Sequence, residues 1–175
     1  MLHRFDAKTA QCFVFTFREG LLSAVGHDLQ LRVTEFTVEV DDETRAIDAR
    51  FAADSLRVVS ALRGGQLARS TLSTGDKHEI ESNIRRNVLQ PAKFPEIRFV
   101  SSGVDDKRGS FLVKGTLALH GRQRPIKVTV HREEKAYAAE CTLHQPDFGI
   151  TPYTALLGTL RVAPEVKIQV RVPVP

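Results

Sequence analysis

The chain has 175 residues, of which 42% are hydrophobic and 26% charged, so it is neither a disordered chain nor a coiled coil. Basic and acidic residues are interspersed and the formal charge is only +4, so we expect no nucleic-acid partner. No apolar run approaches the roughly 18 residues that cross a bilayer, which argues against stable membrane insertion. The first residues lack a secretory-signal pattern and predict a cytoplasmic location, and the length predicts a single domain over residues 1–175.

Apolar and polar side chains begin to alternate in the segment CFVFTF. This alternation is the pattern of strands with one buried face. This strand carries Phe13, Phe15 and Phe17 on one face, and we expect that face to point inward. Cys12 is out of register with these residues, whereas Cys141 is in register with the inward side of a later strand. The two thiols are therefore predicted to face opposite sides of the wall, and we expect no disulfide between them.

The next strand runs from Asp28 to Val40 and changes parity along its length. Apolar side chains occupy odd positions up to Val33, including Leu31, and even positions from Phe36, including Val38. A one-residue slip near Thr34 therefore predicts a β-bulge, which bends a long strand. After a polar turn the chain returns as a strand that places Phe51 inward.

One segment has helical rather than strand periodicity. Ile80, Ile84 and Val88 recur at four-residue spacing, and Pro91 follows, which predicts an amphipathic helix over about residues 76–90. Its narrow apolar stripe suits a helix that covers another element.

Strands resume after this helix and continue to the C-terminus. The pattern predicts an all-β, antiparallel, eight-stranded barrel with one helical insertion. A barrel of this size holds either packed side chains or one small ligand, and the mixture of bulky and small inward residues is compatible with an open lumen. The inward residues predicted in this half are Phe99, Phe111, Val113, Leu119, Val128 and Ile168.

Three motifs stand in a distinctive order: KFPEIRF from Lys93, GTLALHGRQRPIKVTV from Gly115, and DFGI from Asp147. In this order they resemble YceI-like lipid- or polyisoprenoid-binding proteins, and the strand pattern extends the resemblance from about Phe5 to the C-terminus. The resemblance implies a lipocalin-like barrel whose apolar channel holds a long isoprenoid or similar amphiphile.

Basic residues cluster at the bend inside the second motif. His120 and the glycine after it suit a tight hairpin turn, which is a purely structural role. Alternatively, His120, Arg122 and Arg124 contact a polar or pyrophosphate head group, because guanidinium groups suit phosphate oxygens. Arg85 and Arg86 form a second candidate head-group site, for which a solvated helix face is the simpler interpretation.

The sequence offers little for metal binding or catalysis. His27 with Asp28, and His144 with Asp147, lack the spacing of a recognisable metal site, so we expect no metal and no cofactor. There is no Gly-x-Ser-x-Gly elbow or phosphate-binding glycine loop, and Asp147 fits a turn.

We therefore predict non-enzymatic binding, transport or storage of a polyisoprenoid, an isoprenoid quinone or a fatty chain. The alternative is an enzyme that acts on a lipid or quinone head group at the barrel mouth, with His120, His27 or Asp147 converging there. The sequence pattern does not distinguish a monomer from a homodimer. It also does not distinguish an open lumen lined by these residues from a core filled by them. The predicted ligand-binding residues are Phe13, Phe15, Phe17, Leu31, Val38, Phe51, Phe99, Phe111, Val113, Leu119, Val128, Ile168, His120, Arg122 and Arg124.

Overall fold

A computed structural model describes residues 1–20 and 26–174, and within this part the fold is all-β with a single α-helix. Twelve strands form one antiparallel sheet, and three short strands form a second. The strands are β1 (Leu2–Asp6), β2 (Gln11–Thr16), β3 (Arg18–Glu19), β4 (Asp28–Val33), β5 (Phe36–Asp41), β6 (Ile47–Ala52), β7 (Leu56–Arg63), β8 (Gln66–Ala68), β9 (Glu96–Lys107), β10 (Ser110–Leu119), β11 (Arg122–Arg132), β12 (Ala136–His144), β13 (Thr154–Ala155), β14 (Leu160–Val162) and β15 (Glu165–Pro173). The helix α1 spans Thr74–Asn83 and continues as a π-helical turn over Ile84–Leu89.

The large sheet curls because strands far apart in it are consecutive in the chain. Its order is β1-β5-β6-β9-β10-β11-β12-β15-β2-β4-β7-β8, so β4 lies near one end and β5 near the other. Only Thr34 and Glu35 separate these two strands, which brings the ends of the sheet together. Backbone bonds hold the corner: Thr34 N–H donates to Ser55 O at 3.0 Å, and Ala52 N–H donates to Glu35 O at 3.0 Å.

This corner explains part of the difference between the expected eight strands and the twelve observed in the large sheet. The bulge predicted near Thr34 is a complete break between two strands, and the chain breaks again at the 3₁₀ turn Ala53–Ser55. The long strand predicted from Asp28 to Val40 is therefore two strands with a bend between them, and β1 and β8 of the large sheet were not predicted.

A second irregularity changes which side of β9 faces inward. Gly115 of β10 pairs with Ser101, but the preceding residue, Lys114, pairs with Gly103, so Ser102 is an unpaired bulge residue. The inward positions shift there from odd to even numbers, from Phe99 to Val104. Gly115 has no room for a side chain, because a Cβ would lie 2.5 Å from Phe99 Cε2.

The helix lies where predicted, although its details differ. It begins with a capping box, in which Asp76 N–H donates to Ser73 Oγ (3.1 Å) and Ser73 N–H donates to Asp76 Oδ2 (2.7 Å). A carboxylate oxygen of Glu81 accepts the N–H of Val58 at 2.9 Å, which ties the helix to β7. The helical segments of the described residues are too short and polar to span a bilayer.

Candidate functional site

The curled sheet encloses an apolar cavity of about 490 Å³. This volume falls within the range of roughly 300–1,000 Å³ that is typical of small-molecule sites. Buried Leu119, Phe148 and Ile150 line one end, together with Val88 and Leu89 of the π-helical turn. We call this end the floor of the cavity. The helical insertion therefore contributes part of the floor rather than a separate surface.

The other end of the cavity is its mouth, and it is polar. Asp41, Asp42 and Arg45, from the turn between β5 and β6, line it and form what we call the charged rim. Phe111 and Tyr137 lie at the same end, with ring centroids 6.3 Å apart in an edge-on arrangement. Among the described residues, the only charged side chains on the cavity wall are those of Asp41, Asp42 and Arg45. The arrangement suits an amphiphile with its chain inside and its head at the rim.

Two backbone N–H groups fix the first carboxylate of the rim. Thr44 and Glu43 donate to Asp41 Oδ1 at 3.2 and 2.9 Å, and these bonds hold the pKa of the Asp41 carboxyl below its ordinary value. The neighbouring Asp42 contacts His3, with Oδ2 and Nε2 2.6 Å apart. Local turn geometry therefore positions Asp41, whereas a contact with His3 of β1 positions Asp42.

Arg45, the rim's only cation, is already paired. Its Nη1 and Nη2 donate to the two carboxylate oxygens of Asp106 at 2.9 and 3.0 Å. The Arg45 hydrogen bond holds the pKa of the Asp106 carboxyl below its ordinary value. The guanidinium carbon also lies 5.6 Å from the ring centroid of Phe111, within cation–π range.

A family model for the YceI-like domain matches residues 5–174. The chain belongs to the YceI-like family. Its fold resembles that of Burkholderia cenocepacia BcnA (TM-score 0.66, 14% identity), with 97% of this chain and 99% of that one covered. It also resembles a polyisoprenoid binding domain from Saccharophagus degradans implicated in plant cell wall breakdown (TM-score 0.62, 10% identity, 99% and 98% covered). A third similar structure is the Campylobacter jejuni YceI protein (TM-score 0.52, 14% identity, 84% and 85% covered).

At these identities the structural likeness shows the fold alone. None of the curated protein sequences matches this YceI-like chain. The family match confirms the resemblance that the three sequence motifs indicated.

Most of the residues predicted to face inward lie on the cavity wall of the YceI-like chain. Several inward residues of the wall, such as Val128 and Ile168, are only half-buried, because the cavity leaves space in front of them. The lumen is therefore open rather than filled, whereas ligand contact stays a prediction. The predicted residues on the wall are Leu31, Val38, Phe51, Phe99, Phe111, Val113, Leu119, Val128 and Ile168.

The first strand was predicted with the wrong face inward. In β2 it is Cys12 and Val14 that line the cavity, while Phe13 and Phe15 lie on the outer face with ring centroids 6.4 Å apart. Phe17 follows the strand and is 40% exposed. Because both faces of CFVF are apolar, alternation alone could not determine which one points inward. The assumption that the larger side chains face inward was wrong.

The prediction that Cys12 and Cys141 face opposite sides is also wrong. Both line the cavity, on the strands that flank β15, and both are free thiols. Burial, and then the nearby Cys141, raise the pKa of Cys12 to about 12. Burial raises the pKa of Cys141 to about 11. These thiols are protonated at neutral pH and act as small apolar groups of the wall.

The basic residues predicted to bind a head group lie outside the cavity, near its floor. His120 adopts a positive φ of 51° in the hairpin turn between β10 and β11, and its ring centroid lies 4.3 Å from that of Phe94. Arg124 Nε donates to Asp147 O at 3.2 Å. Arg122 packs closely over Gly149, because a Cβ added to Gly149 would lie 2.9 Å from Arg122 Nε. These contacts favour the structural interpretation of the bend.

The remaining candidates make local contacts. Arg85 bonds Asp54, so the helix face is anchored to the corner rather than free. His144 Nδ1 lies 3.1 Å from Asp147 Oδ1. Within residues 1–20 and 26–174 no three His, Cys, Asp or Glu side chains group as a metal site.

Sequence reasoning missed the charged rim. Its signal was the polar turn DDETR between two strands, which identifies a turn but not the end of the barrel at which it lies.

Proposed function

We propose that this YceI-like protein binds a long apolar amphiphile, with its chain in the cavity and its head at the charged rim. The observation that carries the proposal is an apolar cavity whose charged residues all lie at one end. The likeness to a polyisoprenoid binding domain supports a polyisoprenoid, an isoprenoid quinone or a fatty chain as the ligand. A role as a non-enzymatic carrier or store accompanies this binding.

Burial of the chain provides the affinity. Each buried CH₂ contributes about 0.8 kcal/mol, so ten of them contribute roughly 8 kcal/mol before the costs of association. Eight kcal/mol of net binding energy would correspond to a dissociation constant of about 1 μM. The head group then fixes orientation rather than strength.

The cavity can be filled by one substitution on β12. Ala139 faces the lumen, whereas Thr142 lies on the outer face of the same strand and is exposed. We expect Ala139→Trp to weaken displacement of the neutral dye Nile red by geranylgeraniol at least about tenfold, because the indole occupies the space of the prenyl chain. Thr142→Trp adds the same side chain outside and should bind as the unchanged protein does.

Urea denaturation of both variants separates lost binding from lost folding. Native mass spectrometry of the purified protein would identify any ligand retained from the cell. Equal affinities for the two variants, with both folded, would contradict the proposal that the chain lies in the cavity.

The enzymatic alternative required His27, His120 or Asp147 to converge at the mouth. None of the three lies on the cavity wall, so no observation favours this function. The non-enzymatic role, the cytoplasmic location, the single domain and the oligomeric state stay predictions.

A further inference from the structure

One seam of the barrel wall is only partly closed by backbone pairing. β11 pairs with β10 over residues 122–131, and β12 pairs with β15 along its whole length. β11 and β12 pair with each other only where residues 129–132 face residues 137–140. Toward the floor the two strands therefore diverge and leave a gap between them.

This gap borders the cavity. Ile126 and Val128 of β11 lie on one side of it, Cys141 and Leu143 of β12 lie on the other, and all four line the cavity. If the antiparallel register continued, Val128 would pair with Cys141 and Ile126 with Leu143, but neither pair forms. The lumen would therefore open sideways here if nothing filled the gap.

The 3₁₀ turn Gln145–Phe148, which directly follows β12, fills the gap. Phe148 is only 2% exposed and lines the cavity, and so does the buried Ile150. Gln145 anchors the turn on the other side, because its Nε2 donates to Ala163 O at 3.0 Å. At this seam a side chain, rather than a pair of hydrogen-bonded strands, closes the lumen.

Polar side chains of β11 contact the outer side of the turn. Arg124 Nε donates to Asp147 O, and Arg122 packs over Gly149, as described above. Both arginines are exposed. Removing the Phe148 ring would therefore join the lumen to a polar, solvent-exposed edge rather than to more core.

Phe148 differs in this respect from the other residues of the floor. Leu119 lies on β10, opposite Arg122 of β11, and Val88 belongs to the π-helical turn. A chain that enters at the charged rim runs toward the floor and ends against these residues. Each further CH₂ that is buried raises affinity roughly fourfold, whereas isoprene units that cannot enter stay in water and add nothing.

We infer that Phe148 sets the maximum chain length of the bound amphiphile, because it closes the gap between β11 and β12 at the end of the lumen. This inference rests on the proposed function, since it assumes that the apolar chain occupies the cavity. It makes Phe148 a specificity-determining residue that contacts the end of the chain and not its head.

The test uses linear prenols of two to nine isoprene units, presented together in phosphatidylcholine vesicles. The protein is separated from the vesicles, and native mass spectrometry measures the occupancy of each prenol. Partitioning into the vesicles is the same for every variant, so a difference between two length profiles reports on the protein alone. We expect the unchanged protein to bind prenols up to a limiting length.

Two alanine variants distinguish a longer lumen from a wider one. Phe148→Ala should move the limit by at least one isoprene unit, and the first prenol beyond the old limit should gain at least about fivefold in relative occupancy. Phe99→Ala removes the same ring from the middle of the wall, where Phe99 pairs with Leu117 and Ala49 in continuous strands. This control widens the lumen without extending its end, so the limit should not move.

A labelled ligand reports directly on the gap. The probe is a prenol one unit shorter than the limit, with a fluorescent anilino group at the end of its chain, so that the label lies at the floor. Aqueous iodide should quench the label in Phe148→Ala, where the gap is open. The label should stay protected in the unchanged protein and in Phe99→Ala.

Folding is checked separately, because removing a buried aromatic ring destabilises a core. Urea denaturation shows whether both alanine variants are folded under the binding conditions. If either is not, Phe148→Leu and Phe99→Leu provide the same comparison with a smaller loss of volume, and the same direction of change is expected.

The outcomes distinguish this inference from the proposed function. The same length limit in the Phe148 and Phe99 variants, or no limit in the unchanged protein, overturns the role of Phe148 and leaves chain binding intact. If the folded, unchanged protein takes up no prenol of any length, the proposed function and this inference both fail.

Discussion

Replacing Gly115 with alanine should destabilise the barrel wall although it adds only one methyl group. The new Cβ would lie 2.5 Å from Phe99 Cε2, Phe99 Cζ and the carbonyl oxygen of Val100. Carbon atoms pack best at about 3.5–4.0 Å, so β9 and β10 would have to separate locally by about 1 Å. The Phe99 ring can move into the lumen, but the Val100 carbonyl is backbone and cannot rotate away.

The magnitude follows from two opposing effects. Overpacking of this kind costs about 1–3 kcal/mol. Alanine in a strand is otherwise more favourable than glycine by roughly 0.5–1 kcal/mol. The two ranges leave a net loss of about 0–2.5 kcal/mol; a loss of about 1 kcal/mol, near the middle of that range, lowers the Tm by roughly 2–4 °C for a domain of this size.

Gly103→Ala, on the neighbouring strand, is the matched control. A Cβ at Gly103 would meet no atom within 4 Å, so this variant should be neutral or slightly stabilised. Urea denaturation and calorimetry of the two variants measure the difference. If Gly115→Ala unfolds at the same temperature as Gly103→Ala or above it, the steric argument is wrong.

Two further perturbations test the cavity wall and its helix. Because burial raises the pKa of Cys12 to about 12 from 9.0, the unfolded chain releases this proton first as the pH rises. The stability that this protonated thiol contributes is present below pH 9 and is lost as the pH rises above it. Between about pH 9 and 11 the free energy of unfolding should therefore fall less for Cys12→Ala than for the unchanged protein. Equal slopes of unfolding free energy against pH for the two proteins would contradict this. Glu81→Ala leaves the Val58 N–H without its acceptor and should cost about 1–3 kcal/mol and speed exchange of that amide, whereas Glu81→Gln keeps an acceptor oxygen; equal exchange in the two variants would refute the contact.

Alternation predicted the wall well where one face of a strand is clearly more apolar than the other. In β10 and β11, Phe111, Val113 and Val128 face inward as expected, because polar residues interrupt the pattern on the outer side. In β2, Phe13 and Val14 give two apolar faces, so only the pairing with β15 and β4 determines which one points inward.

The mouth could not be predicted, because it depends on contacts between distant parts of the chain. Arg45 and Asp106 are 61 residues apart and meet only after the sheet has curled. The bulge at Ser102 also reverses the alternation of β9, so a pattern that places Phe99 inward assigns Asp106 to the outer face. Local turn chemistry identified the loop but not its neighbours.

The bulge at Ser102 gives β9 one residue more than its partner strand needs. Deleting Ser102 would restore regular pairing and leave the other pairs unchanged, with Phe99 opposite Leu117 and Asp106 opposite Phe111. The same side chains would therefore stay at both ends of the cavity. The extra residue supplies bend and twist to the strand, so its loss would alter the curvature of the wall rather than its lining.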